Sequence, residues 1–202
     1  TINGVREPDL VVGSGGTSYD ASTSTTFYSQ AGFASTTEMA QAFVTDYTNM
    51  RASIEKYDGF YIGRYELTGT VASPTVQSGE VLTASTAGNW YYLYKACRNV
   101  VTGNDKVTST MIWGCQWDET MNWLKNCGYN VDTDSTSWGN YKDVSVKASD
   151  GETVIKASGT STKLETGITT YTMVNKIYDL AGNYYEWTQE AYYTGTRVIR
   201  GR

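Results

Sequence analysis

Residues 178–188 read YDLAGNYYEWT, and RVIRG follows at 197–201; these two segments decide the fold prediction. Gly182 permits a tight turn that directs successive carbonyl oxygens inward. Asp179 and Glu186 stand at either end of that turn, seven residues apart. Their carboxylates and the carbonyls of the turn can close an all-oxygen shell around a hard cation. The segment therefore predicts a cation site.

The same carboxylates also have a structural interpretation, which the sequence leaves open. Asp179 can cap a turn through its side chain. Glu186 can form a buried ion pair with Arg197 or Arg200. In that case the segment is a packing motif and holds no ion.

Glu66 is a third acidic residue of interest, within GFYIGRYELTG at 59–69. Aromatic and β-branched residues flanked by glycines predict a strand that begins at Phe60. Glu66 lies late in this strand, and Arg64 shares its face. The pattern favours an internal glutamate, hydrogen-bonded or paired with Arg64, over a catalytic one.

Composition excludes several classes of function. Charged residues make up 18% of the chain, the net charge is -5, and no run of Lys or Arg forms a basic stripe, so neither nucleic acid nor an anionic membrane is a predicted partner. No apolar run reaches the roughly 18 residues of a membrane helix, and the first residues lack the layout of a signal peptide. The chain has no histidine, which excludes a Ser-His-Asp triad, a Cys-His pair and a His-ligated zinc site.

The three cysteines Cys97, Cys115 and Cys127 match neither a zinc ribbon nor a dense disulfide framework. Buried free thiols are one interpretation, because free cysteine is among the most buried residue types. A disulfide between Cys115 and Cys127, across a helix end, is the alternative.

The chain has 17 Tyr and 6 Trp against 4 Phe, so its aromatic side chains have polar groups that suit both recognition surfaces and loop-rich cores. The tryptophans are divided by their neighbours in the sequence. Those predicted to anchor the core are Trp117, Trp123 and Trp187. Those predicted at a surface or in a loop, next to Gly or Asn, are Trp90, Trp113 and Trp138.

Residues 13–31 are rich in Ser, Thr and Gly, and their apolar residues recur with no regular spacing. The sequence therefore predicts an N-terminal extension at 1–35, followed by one domain at 36–202. Apolar residues at three- and four-residue spacing predict a helix over 35–57, with Thr36 or Thr37 as its cap.

Further helices are predicted over 88–100 and 117–126. Residues 129–176 read as a long loop region, in which DVSVKAS and ETVIKAS predict a local strand pair.

Three segments in order resemble the formylglycine-generating enzyme (sulfatase-modifying factor) family: 59–69, CQWDETMNWL at 115–124, and 178–188 with its continuation at 197–201. This family is structurally related to C-type lectins and to variable proteins diversified by phage and bacterial retroelements. The resemblance implies an irregular α+β, C-type-lectin-like domain with little regular secondary structure, and it predicts that 60–68 and 178–188 lie close together.

The resemblance also implies a calcium site at the matching positions. The carboxylates of Asp179 and Glu186 and the carbonyls of Gly182 and Tyr184 are its predicted ligands, and calcium is the predicted structural cofactor. Catalysis in the family uses two copper-binding cysteines that follow the arginine-rich segment. The sequence ends at Arg202, within that motif, and none of its cysteines occupies a matching position, so we do not expect this chain to be an enzyme.

The predicted function is a non-catalytic domain that binds a cell-surface protein or glycan and is displayed on a phage particle or bacterial surface. An extracellular, virion or cell-surface location follows, with oligomers or other surface subunits as compatible partners. The predicted ligand-facing residues are Tyr184, Tyr185, Gln189, Tyr192 and Tyr193. Two alternatives stay open: a fragment of a formylglycine-generating oxidoreductase that lacks its catalytic end, and a structural subunit of a virion or appendage.

Overall fold

The structure is a computed structural model that describes residues 27–193 and 196–201, with the side chains at 191–196 left outside the description. Over these residues the chain has an α+β fold, in which helices accompany small antiparallel strand pairs. The helices are α1 (Phe27–Gln30), α2 (Thr36–Tyr57), α3 (Ala84–Ala87), α4 (Trp90–Asn99) and α5 (Gly114–Asn126), and a 3-10 turn covers Thr170–Thr172.

The strands form separate two-stranded sheets, each built from consecutive strands. They are β1 (Thr68–Gly69) with β2 (Pro74–Thr75), β3 (Val146–Lys147) with β4 (Val154–Lys156), β5 (Met173–Val174) with β6 (Ile177–Tyr178), and β7 (Glu186–Tyr193) with β8 (Thr196–Arg200). Because these sheets are small, turns and side-chain hydrogen bonds hold most of the chain between residues 59 and 185 in place. No helix in the described part of the chain combines the length and hydropathy of a membrane span.

Helix α2 begins and ends at specific capping groups. The Ser35 hydroxyl accepts a hydrogen bond from the backbone N–H of Glu38 at 3.1 Å, and the Glu38 carboxylate accepts one from Ala34 N–H at 2.8 Å. The helix ends at Asp58, which adopts a left-handed conformation with φ 58°. The predicted helix is confirmed, but the cap is Ser35 and not a threonine.

The first core cluster joins α2 to α4. Phe43 packs edge-on against Tyr94, and Tyr94 stacks on Trp90 with ring centroids 5.3 Å apart. Ala31 is buried in the same cluster, and Phe33 packs against it. Residues that directly follow α1 thus contribute to the core. Most of the predicted extension at 1–35 lies outside the described residues, and the domain boundary at residue 36 stays a prediction.

The second core cluster lies under one face of α5. Trp117 and Leu124 are buried there against Trp138, Val174 and Ile177. This confirms the prediction for Trp117 and overturns it for Trp138, which was assigned to a surface.

Three further tryptophans correct the sequence assignment. Trp90 and Trp113 are buried, although both were predicted at a surface. Trp123 was predicted in the core but is 43% exposed. Trp187 is partly buried and packs against the first cluster.

Residues 129–176 contain the predicted strand pair, β3 with β4. At the end of β4, the buried Lys156 donates from Nζ to the carbonyl oxygens of Tyr141 at 2.6 Å and Val144 at 2.7 Å. These bonds satisfy a cation inside a region of little regular structure. The long loop region is thus ordered by side chains as much as by strands.

The segment 59–69 lies against the segment 178–188, as predicted. Tyr178 N–H donates to the Arg64 carbonyl at 2.8 Å, and the Tyr65 and Tyr178 rings stack with centroids 4.9 Å apart. The predicted strand from Phe60 is wrong, however, because regular pairing in this segment is restricted to β1.

All three cysteines carry free thiols, which excludes the disulfide between Cys115 and Cys127. The prediction of buried thiols is confirmed only in part, because Cys97 and Cys115 are partly buried and Cys127 is exposed. Cys97 lies in the first cluster, where burial raises its pKa to about 12.

We therefore expect a reducing agent to leave the thermal unfolding midpoint of freshly purified protein unchanged, because no covalent cross-link constrains the unfolded chain. Differential scanning calorimetry with and without reductant measures this. A lower midpoint in reductant, reproduced by substituting Cys115→Ser, would show that the bond forms after all.

Candidate functional site

The turn at 179–183 is the centre of the candidate site, and its backbone is fixed by a neighbouring strand-like segment. Asp179, Gly182 and Asn183 all have positive φ, at 61°, 72° and 56°. Asn140 N–H donates to the Ala181 carbonyl at 3.0 Å, and Asn183 N–H donates to the Asn140 carbonyl at 2.9 Å. These bonds hold the turn against residue 140.

The buried side chain of Asn183 locks the turn to a second loop. Its Oδ1 accepts from Leu164 N–H and from Asn140 Nδ2, both at 2.9 Å, and its Nδ2 donates to the Leu164 carbonyl at 3.0 Å. The Asn183 side chain also favours the charged form of the Glu66 carboxyl group and so opposes the rise in its pKa. One side chain thus joins three separate parts of the chain.

Asp179 is buried, and its carboxylate is bonded to a neighbouring loop. It accepts a hydrogen bond from Gly167 N–H at 3.3 Å. The hydroxyls of Thr172 and Thr166 also favour its charged form. Burial raises the pKa of Asp179, and these three groups oppose that shift. The turn-organising interpretation of Asp179 therefore has direct support in the structure.

Glu186 differs from Asp179 in the hydrogen bonding of its carboxylate. Both of its carboxylate oxygens are inaccessible to solvent and accept no hydrogen bond from another of the described residues. Burial raises the pKa of Glu186 well above its usual range, and the nearby Glu66 raises it further. Its carboxylate lies against Gly201, where a Cβ would overlap Oε2.

Glu66 belongs to the same acidic cluster. Its Oε1 is buried and accepts no hydrogen bond from the part of the chain that the structure describes. The pKa of Glu66 is raised to about 8, by burial first and by the charge of Asp179 second. The prediction of an internal glutamate is confirmed, but pairing with Arg64 is wrong. The Arg64 guanidinium instead donates from Nε to the Lys176 carbonyl at 2.9 Å.

Lys163 supplies a positive charge at the edge of the cluster. Its Nζ lies 5.2 Å from the centroid of the Tyr184 ring. Burial lowers the pKa of Lys163, while Glu66 and Glu186 favour its charged form. One partly exposed ammonium therefore stands beside the buried carboxyl groups of Glu66, Asp179 and Glu186.

The predicted pairing of Glu186 with Arg200 is also wrong, because Arg200 forms ion pairs with Glu190 and with Asp118, the latter at 3.5 Å. The Arg197 guanidinium lies over the Trp90 ring, 4.8 Å from its centroid. Both arginines thus take part in packing the hairpin of β7 and β8.

The predicted ligand-facing residues divide into three groups. Tyr185 is 50% exposed, and Tyr184 is partly buried under Lys163. The side chains of Tyr192 and Tyr193 lie outside the described residues.

Gln189 is fully buried and donates from Nε2 to Thr110 Oγ1 at 2.9 Å and to the Met111 carbonyl at 2.7 Å. Its assignment to a ligand-facing surface is corrected, since these two bonds hold its side chain in the core.

The two carboxylates among the predicted calcium ligands differ in the hydrogen bonds that they accept. Glu186 has two buried oxygens without donors, as a ligand requires, whereas the Asp179 carboxylate accepts a hydrogen bond from Gly167 N–H. Within the described residues, no group of three or more Cys, Asp and Glu side chains is placed to hold a metal ion. The four-residue calcium site at Asp179, Gly182, Tyr184 and Glu186 stays a prediction.

Comparison with protein-family profiles, curated proteins and solved structures finds no match to this chain. The site must therefore be interpreted from its own geometry.

The sequence pointed to Glu66, Asp179 and Glu186 but not to Asn140, Asn183 or Lys163. Asn183 stands inside the quoted segment, and an Asn directly after a Gly in a turn is a signal for positive φ. Asn140 and Lys163 lie in the long loop region, where no periodicity marks them.

Proposed function

We propose that this chain is a non-catalytic, C-type-lectin-like binding domain that presents the 184–185 segment to a cell-surface protein or glycan, as part of a phage particle or bacterial surface. The observation that carries the proposal is the exposure of one aromatic side chain directly after the buried turn. Asn183 is buried, Tyr184 is partly buried, Tyr185 is half exposed, and the carboxylate of Glu186 is buried again.

The exposed Tyr185 lies on a backbone that the structure holds in place. The backbone below Tyr185 is held by the hydrogen bonds of Asn183 and by the pairing of β7 with β8. Tyrosine provides a large amphipathic contact area at low entropic cost. A preorganised loop keeps more of that contact energy as affinity, since less ordering is needed on binding.

The acidic cluster supports binding over catalysis at this site. Acid–base catalysis needs a carboxyl group within hydrogen-bond reach of the substrate. Oε1 of Glu66 and both carboxylate oxygens of Glu186 are inaccessible to solvent in this conformation. Their burial suits a structural role beneath the tyrosines.

We expect Tyr185→Ala to reduce binding to the recognised glycan or to intact bacterial cells about 30-fold, the loss that corresponds to about 2 kcal/mol at an interface hot spot. The folded state should be retained, because half of this side chain is already exposed. A glycan array and a cell-binding assay measure the effect.

Tyr57→Ala is the matched control, since Tyr57 is also exposed, at the C-terminal end of α2. Equal binding by wild type and both variants would contradict the assignment of the 184–185 segment. Absence of binding to both glycans and cells would contradict the proposed class of partner.

A further inference from the structure

Residues 161–164 form a short loop that is fixed to the turn of the candidate site. Both backbone groups of Leu164 bond the side chain of Asn183, at 2.9 Å and 3.0 Å. Two residues earlier, the Thr162 carbonyl accepts a hydrogen bond from Asn140 Nδ2 at 3.4 Å. The residue between Thr162 and Leu164 is therefore held from both sides before any ligand binds.

That residue is Lys163, whose side chain is exposed beside the binding segment at 184–185. Its Nζ lies 5.2 Å from the centroid of the Tyr184 ring, and Tyr184 is followed directly by the half-exposed Tyr185. Lys163 forms no hydrogen bond or ion pair with any other residue in the described part of the chain. The ammonium group is thus held near a tyrosine ring and remains available to a ligand.

Two hydroxyl groups precede Lys163 in the loop. Ser161 and Thr162 are both exposed, and their hydroxyls form no hydrogen bond with another described residue. Each hydroxyl can donate one hydrogen bond and accept others. Three successive side chains therefore present polar groups that a ligand can bind in place of water.

These groups suit a saccharide better than a protein surface. Protein interfaces are centred on buried aromatic or aliphatic side chains, with a polar rim around them. The one large apolar residue of this loop, Leu164, is partly buried. A small-molecule site instead needs a few well-placed polar groups beside an apolar face. Tyr185 provides such a face, because half of its side chain is exposed.

The charge of the loop indicates which kind of saccharide it favours. Lys163 is the only ionisable residue at 161–164, and the whole chain carries a net charge of -5. An acidic ligand is therefore repelled by the chain as a whole, and its recognition depends on a local cation. A hydrogen bond from an ammonium to an anionic oxygen is about twice as strong as one between neutral groups. An acidic group is consequently the part of a ligand that Lys163 distinguishes best.

We propose that the ligand of this site is an acidic saccharide, in which Lys163 binds the anionic oxygen group while Tyr185 packs against a sugar ring. The hydroxyls of Ser161 and Thr162 bind neighbouring sugar hydroxyls. This inference rests on the proposed binding function and narrows its partner to one class of glycan. Lys163 then determines specificity, whereas Tyr185 contributes affinity for acidic and neutral saccharides alike.

A glycan array that pairs each neutral saccharide with its carboxylated, sulfated and phosphorylated forms tests this, with calorimetry on the pairs that bind. Wild type should bind an acidic form about 10-fold more tightly than its neutral form, the gain expected of one charge-assisted hydrogen bond. Lys163→Gln should remove this preference and leave the affinity for the neutral form unchanged. Lys163→Arg should keep the preference, because it retains the charge. The acidic form that binds most tightly identifies the anionic group.

Lys147→Gln is the matched control, because Lys147 is also exposed but lies on β3. This variant should bind every saccharide as wild type does. Thermal unfolding of all the lysine variants should match that of wild type, since each substituted side chain is exposed.

The outcomes separate this inference from the function on which it rests. If Tyr185→Ala loses binding but wild type shows no preference for acidic forms, the inference is wrong and the binding function stands. The same conclusion follows if Lys163→Gln keeps the full preference. Wild type that binds no saccharide on the array, or that binds cells only through a protein, would also overturn the inference.

Discussion

Asn183→Ala is expected to lower the free energy of unfolding by about 4 kcal/mol, since unsatisfied buried polar groups cost about 1–3 kcal/mol each. The substitution removes three side-chain hydrogen bonds, two to the backbone of Leu164 and one to Asn140 Nδ2. It also places alanine at φ 56°, a conformation that asparagine tolerates better. Urea denaturation measures the change.

Asn130→Ala is the matched control for this loss. Asn130 is exposed, and its Oδ1 accepts from the N–H and hydroxyl of Thr133 in a local turn. Water can replace these bonds, so we expect a change below about 1 kcal/mol. If the two variants are equally stable, Asn183 does not hold the turn to the 164 loop.

Gly182→Ala is expected to destabilise the protein by about 3 kcal/mol, for two separable reasons. Alanine at φ 72° costs about 1–2 kcal/mol. Its Cβ would also lie 2.5 Å from the Asn140 carbonyl oxygen, and overpacking adds about 1–3 kcal/mol. The oxygen has little freedom to move, because it accepts a hydrogen bond from Asn183 N–H.

Gly151→Ala separates the two contributions. Gly151 has φ 77°, close to that of Gly182, but a Cβ there meets nothing within 4 Å. Its substitution should therefore cost only the conformational part, about 1 kcal/mol. Denaturation curves for both variants give the difference, and equal losses would show that contact with residue 140 is not restrictive.

The helices could be predicted because their apolar residues recur with a helical period. Met39 and Phe43 lie four residues apart and both pack in the first cluster. The same rule explains the error at Trp123. In α5 the buried face passes through Trp117 and Leu124, seven residues apart, and Trp123 lies off that face.

The other tryptophans could not be assigned in this way, because a residue outside a periodic segment has no predicted face. Trp138 lies in the long loop region, where Gly and Asn neighbours suggested exposure, yet it packs beneath α5. Trp113 immediately precedes α5 and packs against Tyr47 of α2. Tertiary packing decided both positions.

The candidate site was only partly predictable for a related reason. Asp179 and Glu186 share one short segment, so their proximity could be inferred from the sequence. The bond between Asn140 and Asn183 spans 43 residues, and no local pattern connects those positions. Which carboxylate has donors also depends on the loop that contains Thr166 and Gly167, and the sequence does not show where that loop packs.

The hydrogen bonds around the turn also have a consequence for the rate of folding. The bond from Arg64 to Lys176 closes a separation of 112 residues, and that from Glu66 to Thr166 closes one of 100. The loss of chain entropy must precede such contacts, so high contact order slows folding. During folding, we expect α2 and α4 to become helical early. The acidic cluster of Glu66, Asp179 and Glu186 should form last, close to the rate-limiting step.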